Sequence, residues 1–131
     1  MLEAYCAASA ALLALMGWGI HDVSAFIKSH PQILQSSDLD TFKALARRNM
    51  IGALLGFALI AAWFVLAIEA SRELHWHLKL MTWAVMAPLY LLGAWVKKVE
   101  TTARDLPCAP NLEAEYRRVG ESWQHKALPD F

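Results

Sequence analysis

Histidine is the side chain here best suited to hold a metal, ligate a haem or pass a proton, so the spacing of His21, His75 and His77 bears first on chemistry. His75-x-His77 beside Glu73 has the alternate spacing that puts two imidazoles on one face of an extended segment, the beginning of a metal site. A helix over the same residues turns them about 200° apart and removes the chelate. Only Glu3 and Glu69 could complete the set from the same side of a membrane. The expectation is two interfacial histidines flanking Trp76, with a metal held by His75 and His77 as the alternative.

His21-Asp22 is the one ionisable pair set into what reads as a continuous apolar helix. Ionisable groups inside a span mark ligand, proton or quinone contacts, which makes His21 and Asp22 the cofactor-binding candidates. At headgroup depth the same pair is an ordinary polar flank. A b-type haem between two histidines needs them at similar depth on facing helices. His21 falls at one end of its run, whereas His75 and His77 fall at the opposite membrane face, so a bis-histidine haem within one subunit is not expected. No resident cofactor is expected; a haem or quinone shared with another subunit stays open.

The sequence carries no catalytic motif. No segment resembles a phosphate loop, a nucleophile with its base, or a zinc site. Ion-coupled carriers place polar or charged groups near the membrane midplane. The apolar runs offer only Ser9, Thr82, Tyr90 and the carbonyl freed by Pro88, which argues against transport by a monomer. Basic residues near the C-terminus alternate with Glu113, Glu115 and Glu121, so nucleic acid is not an expected partner.

The elements that must carry these residues are set by three apolar runs, Leu2 to Ile20, Met50 to Ile68 and Leu78 to Val96. At about 1.5 Å per residue, each spans a hydrocarbon core of roughly 30 Å. The expected fold is an all-α integral membrane bundle, one domain over residues 1–131, with spans of about 2–27, 50–69 and 78–97. The opening Met1-Leu2-Glu3 lacks the positive n-region of a signal peptide, so the first run is read as a true span. Formal net charge is zero, from 12 Lys and Arg against 12 Asp and Glu, but the distribution is uneven. No Lys or Arg precedes the first run, while Lys28, Lys43, Arg47 and Arg48 follow it and Lys97, Lys98, Arg104, Arg117, Arg118 and Lys126 follow the third. Basic flanks stay on the cytoplasmic side, which predicts the N-terminus outside and the C-terminal tail inside. Cys6 and Cys108 then lie at opposite faces and cannot pair.

Packing signals follow. Ala7/Ala11 and Ala10/Ala14 in the first run, and Gly52-x-x-x-Gly56 in the second, are small-xxx-small pairs that let another helix approach closely. Ser37-x-x-Asp40 has the form of a capping box and opens an amphipathic stretch over 38–48, read as lying at the membrane surface or as an extension of the second span. Pro88 removes a hydrogen bond to the Ala84 carbonyl and predicts a kink in the third span. After Pro107 and Pro110, Asn111 is a good N-cap for a second amphipathic helix over 111–127, with Leu112, Tyr116, Val119 and Trp123 in a stripe.

A helix of that length does not stay folded alone, so the stripe must lie against the membrane surface, the 38–48 segment or a partner. The expected function is a non-catalytic accessory subunit or assembly factor of a larger membrane complex in the bacterial inner membrane. Its partners would be the lipid bilayer and other membrane subunits or a second copy. Gly52 and Gly56 would serve helix contact, and Tyr116, Val119 and Trp123 docking. The alternatives are a haem- or quinone-binding redox membrane protein and a small oligomeric transporter.

Overall fold

The computed structural model describes residues 1–131 and is all α-helical. Helix α1 runs Leu2–Ser29, α2 Ser36–Glu73, α3 Trp76–Ala84, α4 Met86–Arg104 and α5 Glu113–His125. Three stretches are long and apolar enough to cross a membrane: α1, α2, and α3 with α4 taken together over Trp76–Arg104. The all-α membrane bundle read from the sequence is thus the fold observed. Its two ends differ. The hairpin end holds the N-terminus and the short α2–α3 turn; the head end holds the α1–α2 link, the first turns of α2, and everything after Lys98.

Helix α1 buries Tyr5, Leu12, Ile20, Val23 and Phe26 on one side, and Pro31 prevents its continuation. Helix α2 has 38 residues, about 57 Å at 1.5 Å each, far more than a hydrocarbon core needs. Its first three turns are the amphipathic 38–48 segment, which therefore extends the second span and does not lie along the surface. The helix begins earlier than the Ser37-x-x-Asp40 pattern predicts. Asp38, not Asp40, is the capping carboxylate, accepting from the Leu34 and Gln35 amides at 3.2 and 3.1 Å. Both patterns fit the same sequence, and the free amides lie within reach of Asp38.

Between α3 and α4 the helix breaks at Val85. Pro88 has no N–H for the Ala84 carbonyl, and the next bond, Leu89 N–H to Val85 O, is long at 3.3 Å. This is the expected kink. Helix α5 starts at Glu113, two residues after the Asn111 cap expected from sequence, because residues 110–112 form a turn.

Helix α1 packs against both α2 and α4, whereas α2 and α4 do not pack on each other. Helix α3 bridges to α2 at the hairpin end, and α5 touches both α2 and α4 at the head end. Two cores result. The head core comprises 12 buried residues, including Val23, Phe26, Phe42, Leu45, Tyr116 and Val119. Phe42 is its centre, with ring centroids 5.9 Å from Phe26, 4.7 Å from Tyr116 and 5.8 Å from Trp123. A two-bond bridge ties the links together: Ile33 N–H donates to Pro107 O and Ala109 N–H to Ile33 O, both at 2.8 Å. The hairpin core is smaller, with Tyr5, Leu12, Trp63, Ala67 and Ala70.

Candidate functional site

Sequence pointed first to His21 and Asp22, and the fold separates them. Neighbours on a helix project about 100° apart. His21 is exposed, while Asp22 turns to α2 and accepts from Arg48 at 3.1 and 3.3 Å. Asp22 is thus a helix-to-helix ion pair and shares no ligand site with His21. His75 caps α3 and His77 lies in its first turn, both exposed, with the His77 ring 4.1 Å from that of Trp76. No three His, Cys, Asp or Glu side chains converge to hold a metal, so His75 and His77 lack the third donor. Cys6 and Cys108 are unpaired thiols on separate ends.

The stripe assigned to docking is used inside the chain. Tyr116, Val119 and Trp123 are buried in the head core, so they are not free for a partner. The covering surface is the 38–48 part of α2, carried by Leu39, Phe42 and Ala46. Tyr116 Oη donates to Ala103 O at 2.5 Å and accepts from the Leu106 amide at 3.0 Å, closing the α4–α5 link. Burial pushes the Tyr116 phenol up to about 12, so it remains a donor at neutral pH.

One ion pair spans the head, and a second is local to the segment after α5. Lys43 on α2 donates to Glu115 on α5, and this hydrogen bond keeps the Glu115 carboxyl below its ordinary range. Hydrogen bonds from Lys126 and Ser122 lower Asp130 in the same way.

Gly52 and Gly56 face α1 of their own chain. A Cβ built there would stand 4.0 Å from the Trp18 ring and 3.5 Å from Leu15 Cδ2. They also line a groove of about 230 Å³ between α2 and α4, floored by Leu15, Met16 and Gly19 of α1. The groove exists because α2 and α4 are splayed around α1 and because glycine stands on all three walls, with Gly93 on α4. Trp18 and Phe57 on its rim are exposed, so it opens sideways, toward lipid. At the head end it adjoins a second chamber of about 280 Å³ that shares Ala53, Phe57 and Glu100 and reaches Lys126. Asn49 and Glu100 are its polar wall residues.

Neither polar residue stood out in the sequence, where each follows a basic pair and reads as an ordinary flank. The available signal was periodicity: Asn49, Gly52, Gly56 and Ile60 recur at i, i+3, i+7 and i+11, and Gly93, Val96 and Glu100 at i, i+3 and i+7.

A polar thread at the hairpin end also escaped notice. Trp63 Nε1 donates to Ser9 Oγ at 2.8 Å, Ser9 Oγ donates to Tyr5 O at 2.9 Å, and Tyr5 Oη donates to Thr82 O at 2.5 Å. These bonds join α1, α2 and α3 where all four residues are buried. Of the polar side chains in the spans, Ser9 thereby fastens α1 to α2, while the Thr82 hydroxyl donates to Leu78 O within its own helix and only its carbonyl joins the thread.

Fold and groove define the class, a three-span helical membrane protein with a lateral groove and a compact helical head. Comparison with protein-family models gives no match, and comparisons with the curated proteins and the solved structures give none either.

Proposed function

We propose that this protein works by binding within the bilayer, as a non-catalytic accessory subunit or assembly factor of a larger membrane complex. The observation that carries this reading is Tyr90. It stands midway along the span helix Trp76–Arg104 and is 78% exposed, and its hydroxyl has no hydrogen-bond partner in the chain. Lipid tails offer neither donor nor acceptor, and each polar group left unmet in hydrocarbon is costly. Half the core is about 15 Å thick, too far for a tyrosine to reach the interface from its middle. A transmembrane helix of another subunit, or of a second copy, supplies the missing partner.

The orientation proposed with it puts the head end in the cytoplasm of a bacterial inner membrane. All 12 Lys and Arg except Arg72 and Lys79 lie at that end, the distribution that retains a segment on the inner side.

Tyr90→Phe tests the functional reading. Interhelical hydrogen bonds in membranes are worth about 0.6–2 kcal/mol, so association should weaken roughly 3- to 30-fold with insertion unchanged. A photo-crosslinking side chain at position 90 should capture the neighbouring helix in membranes. Unaltered complex size for the Phe variant, with crosslinks to lipid alone, would count against an accessory role.

A further inference from the structure

Two oxygen-bearing side chains in the groove between α2 and α4 receive no donor from the chain. Asn49 is 7% exposed, and its amide nitrogen is committed to the Leu45 carbonyl at 3.0 Å. Its Oδ1 accepts no hydrogen bond and lies on the groove wall, 3.7 Å from where a Cβ of Gly19 would stand. Glu100, on the opposite wall, forms no ion pair. Arg104, one turn further along α4, directs its guanidinium to the Glu100 main-chain oxygen and to Thr101 Oγ1, at 3.4 and 3.2 Å. A carboxylate and an amide oxygen thus line one groove, reachable from it and met by no hydrogen of the chain, and an acceptor left so at the edge of hydrocarbon is unfavourable.

What fills the groove must bring donors, and a positive charge balances Glu100 better than a neutral hydroxyl does. The two acceptors sit at headgroup depth, Asn49 just after Arg47 and Arg48 and Glu100 just after Lys97 and Lys98. Deeper in, the wall is apolar or bare, at Gly52, Gly56, Ile60 and Gly93. At about 230 Å³ the whole groove lies below the roughly 300–1,000 Å³ of drug-sized ligand sites, which suits a single chain and not a macrocycle. The adjoining chamber leads past Glu100 to the Lys126–Asp130 ion pair at the watery exit, which leaves Glu100 as the unpaired charge of the groove.

We propose that this groove binds one phospholipid bearing a primary ammonium headgroup. The ammonium donates to Glu100 and Asn49, and one acyl chain lies along Gly52, Gly56 and Gly93. This site is separate from the Tyr90 contact, and either can fail without the other.

The test uses the full chain, equilibrated with nanodiscs of equal parts phosphatidylethanolamine, phosphatidylcholine and phosphatidylglycerol, then released for native mass spectrometry. One phosphatidylethanolamine should be retained per chain, at least fivefold over either competitor. Phosphatidylcholine carries the charge without N–H donors, so it separates hydrogen bonding from charge alone. Glu100→Gln should abolish the preference while leaving helix content and monodispersity unchanged. Gly93→Leu should displace lipid of every headgroup, and Asn49→Ala should lower the preference should the leucine disturb packing. Equal retention of the three lipids, preference for phosphatidylglycerol, or an undiminished preference in Glu100→Gln would each overturn the proposal.

Discussion

Helix α2 passes through two environments, and its side chains record the change. In its first turns Phe42, Leu45 and Ala46 are wholly buried beneath α5, as in a water-soluble protein. Four turns on, Phe57 is 76% exposed, and in the third span only 6% of the most apolar window is buried. Apolar side chains of the same kinds are hidden in one stretch and bare in the next. Burial against protein is the solution where the solvent is water, whereas lipid removes the need for it. The head is therefore held by a hydrophobic core, and the spans by close approach at small residues and a few buried hydrogen bonds.

This contrast is open to attack at both ends, and the largest effect belongs to the head. Phe42→Ala should destabilise it by about 3–5 kcal/mol, the usual cost of emptying an aromatic site, and hydrogen exchange should then show α5 unprotected. Phe57→Ala, the same change on the same helix, should stay within about 0.5 kcal/mol. Comparable losses at the two positions would erase the distinction. Tyr116→Phe strands the Ala103 carbonyl and the Leu106 amide and should cost about 1–3 kcal/mol, again seen as faster exchange in α5. In the spans, Trp63→Phe removes one buried bond to Ser9 and should loosen the hairpin end by about 0.6–2 kcal/mol, read as easier unfolding in mixed detergent.

Acid should produce the smallest effect, confined to the head. Glu115 and Asp130 are both lowered from ordinary values of 4.5 and 3.8 by their lysine partners. A carboxyl lowered on folding contributes its full stabilisation above the ordinary value and loses it as pH falls through the folded one. Protease sensitivity of the α5 region should thus rise only below about pH 4.5, and Lys43→Met should remove part of that dependence.

The spans and the kink at Pro88 were legible because hydrophobic runs and proline act locally. The head was only half legible. Periodicity gave both amphipathic stripes, at 38–48 and 111–127, and offered 38–48 as one of three covers for the second without choosing among them. The choice depends on the Ile33 bridge, which brings residues 74 or more positions apart into register. Tyr116, Val119 and Trp123 consequently look like a free docking face until the chain is folded. His21 and Asp22 look like a pair until the helix turns them apart. Asn49 and Glu100 show the converse, two unremarkable flanks that meet one groove only because α2 and α4 lean apart around α1.

The most direct test of the central claim, that one helix crosses from a water-facing core into lipid, is collisional accessibility of spin labels in reconstituted bilayers. With Cys6 and Cys108 replaced by Ser, labels at Phe57, Leu91 and Arg117 would be compared for access to molecular oxygen and to a water-soluble nickel chelate. Oxygen should dominate at 57 and 91 and the chelate at 117. Access of the chelate to position 57 equal to that at 117 would contradict the account.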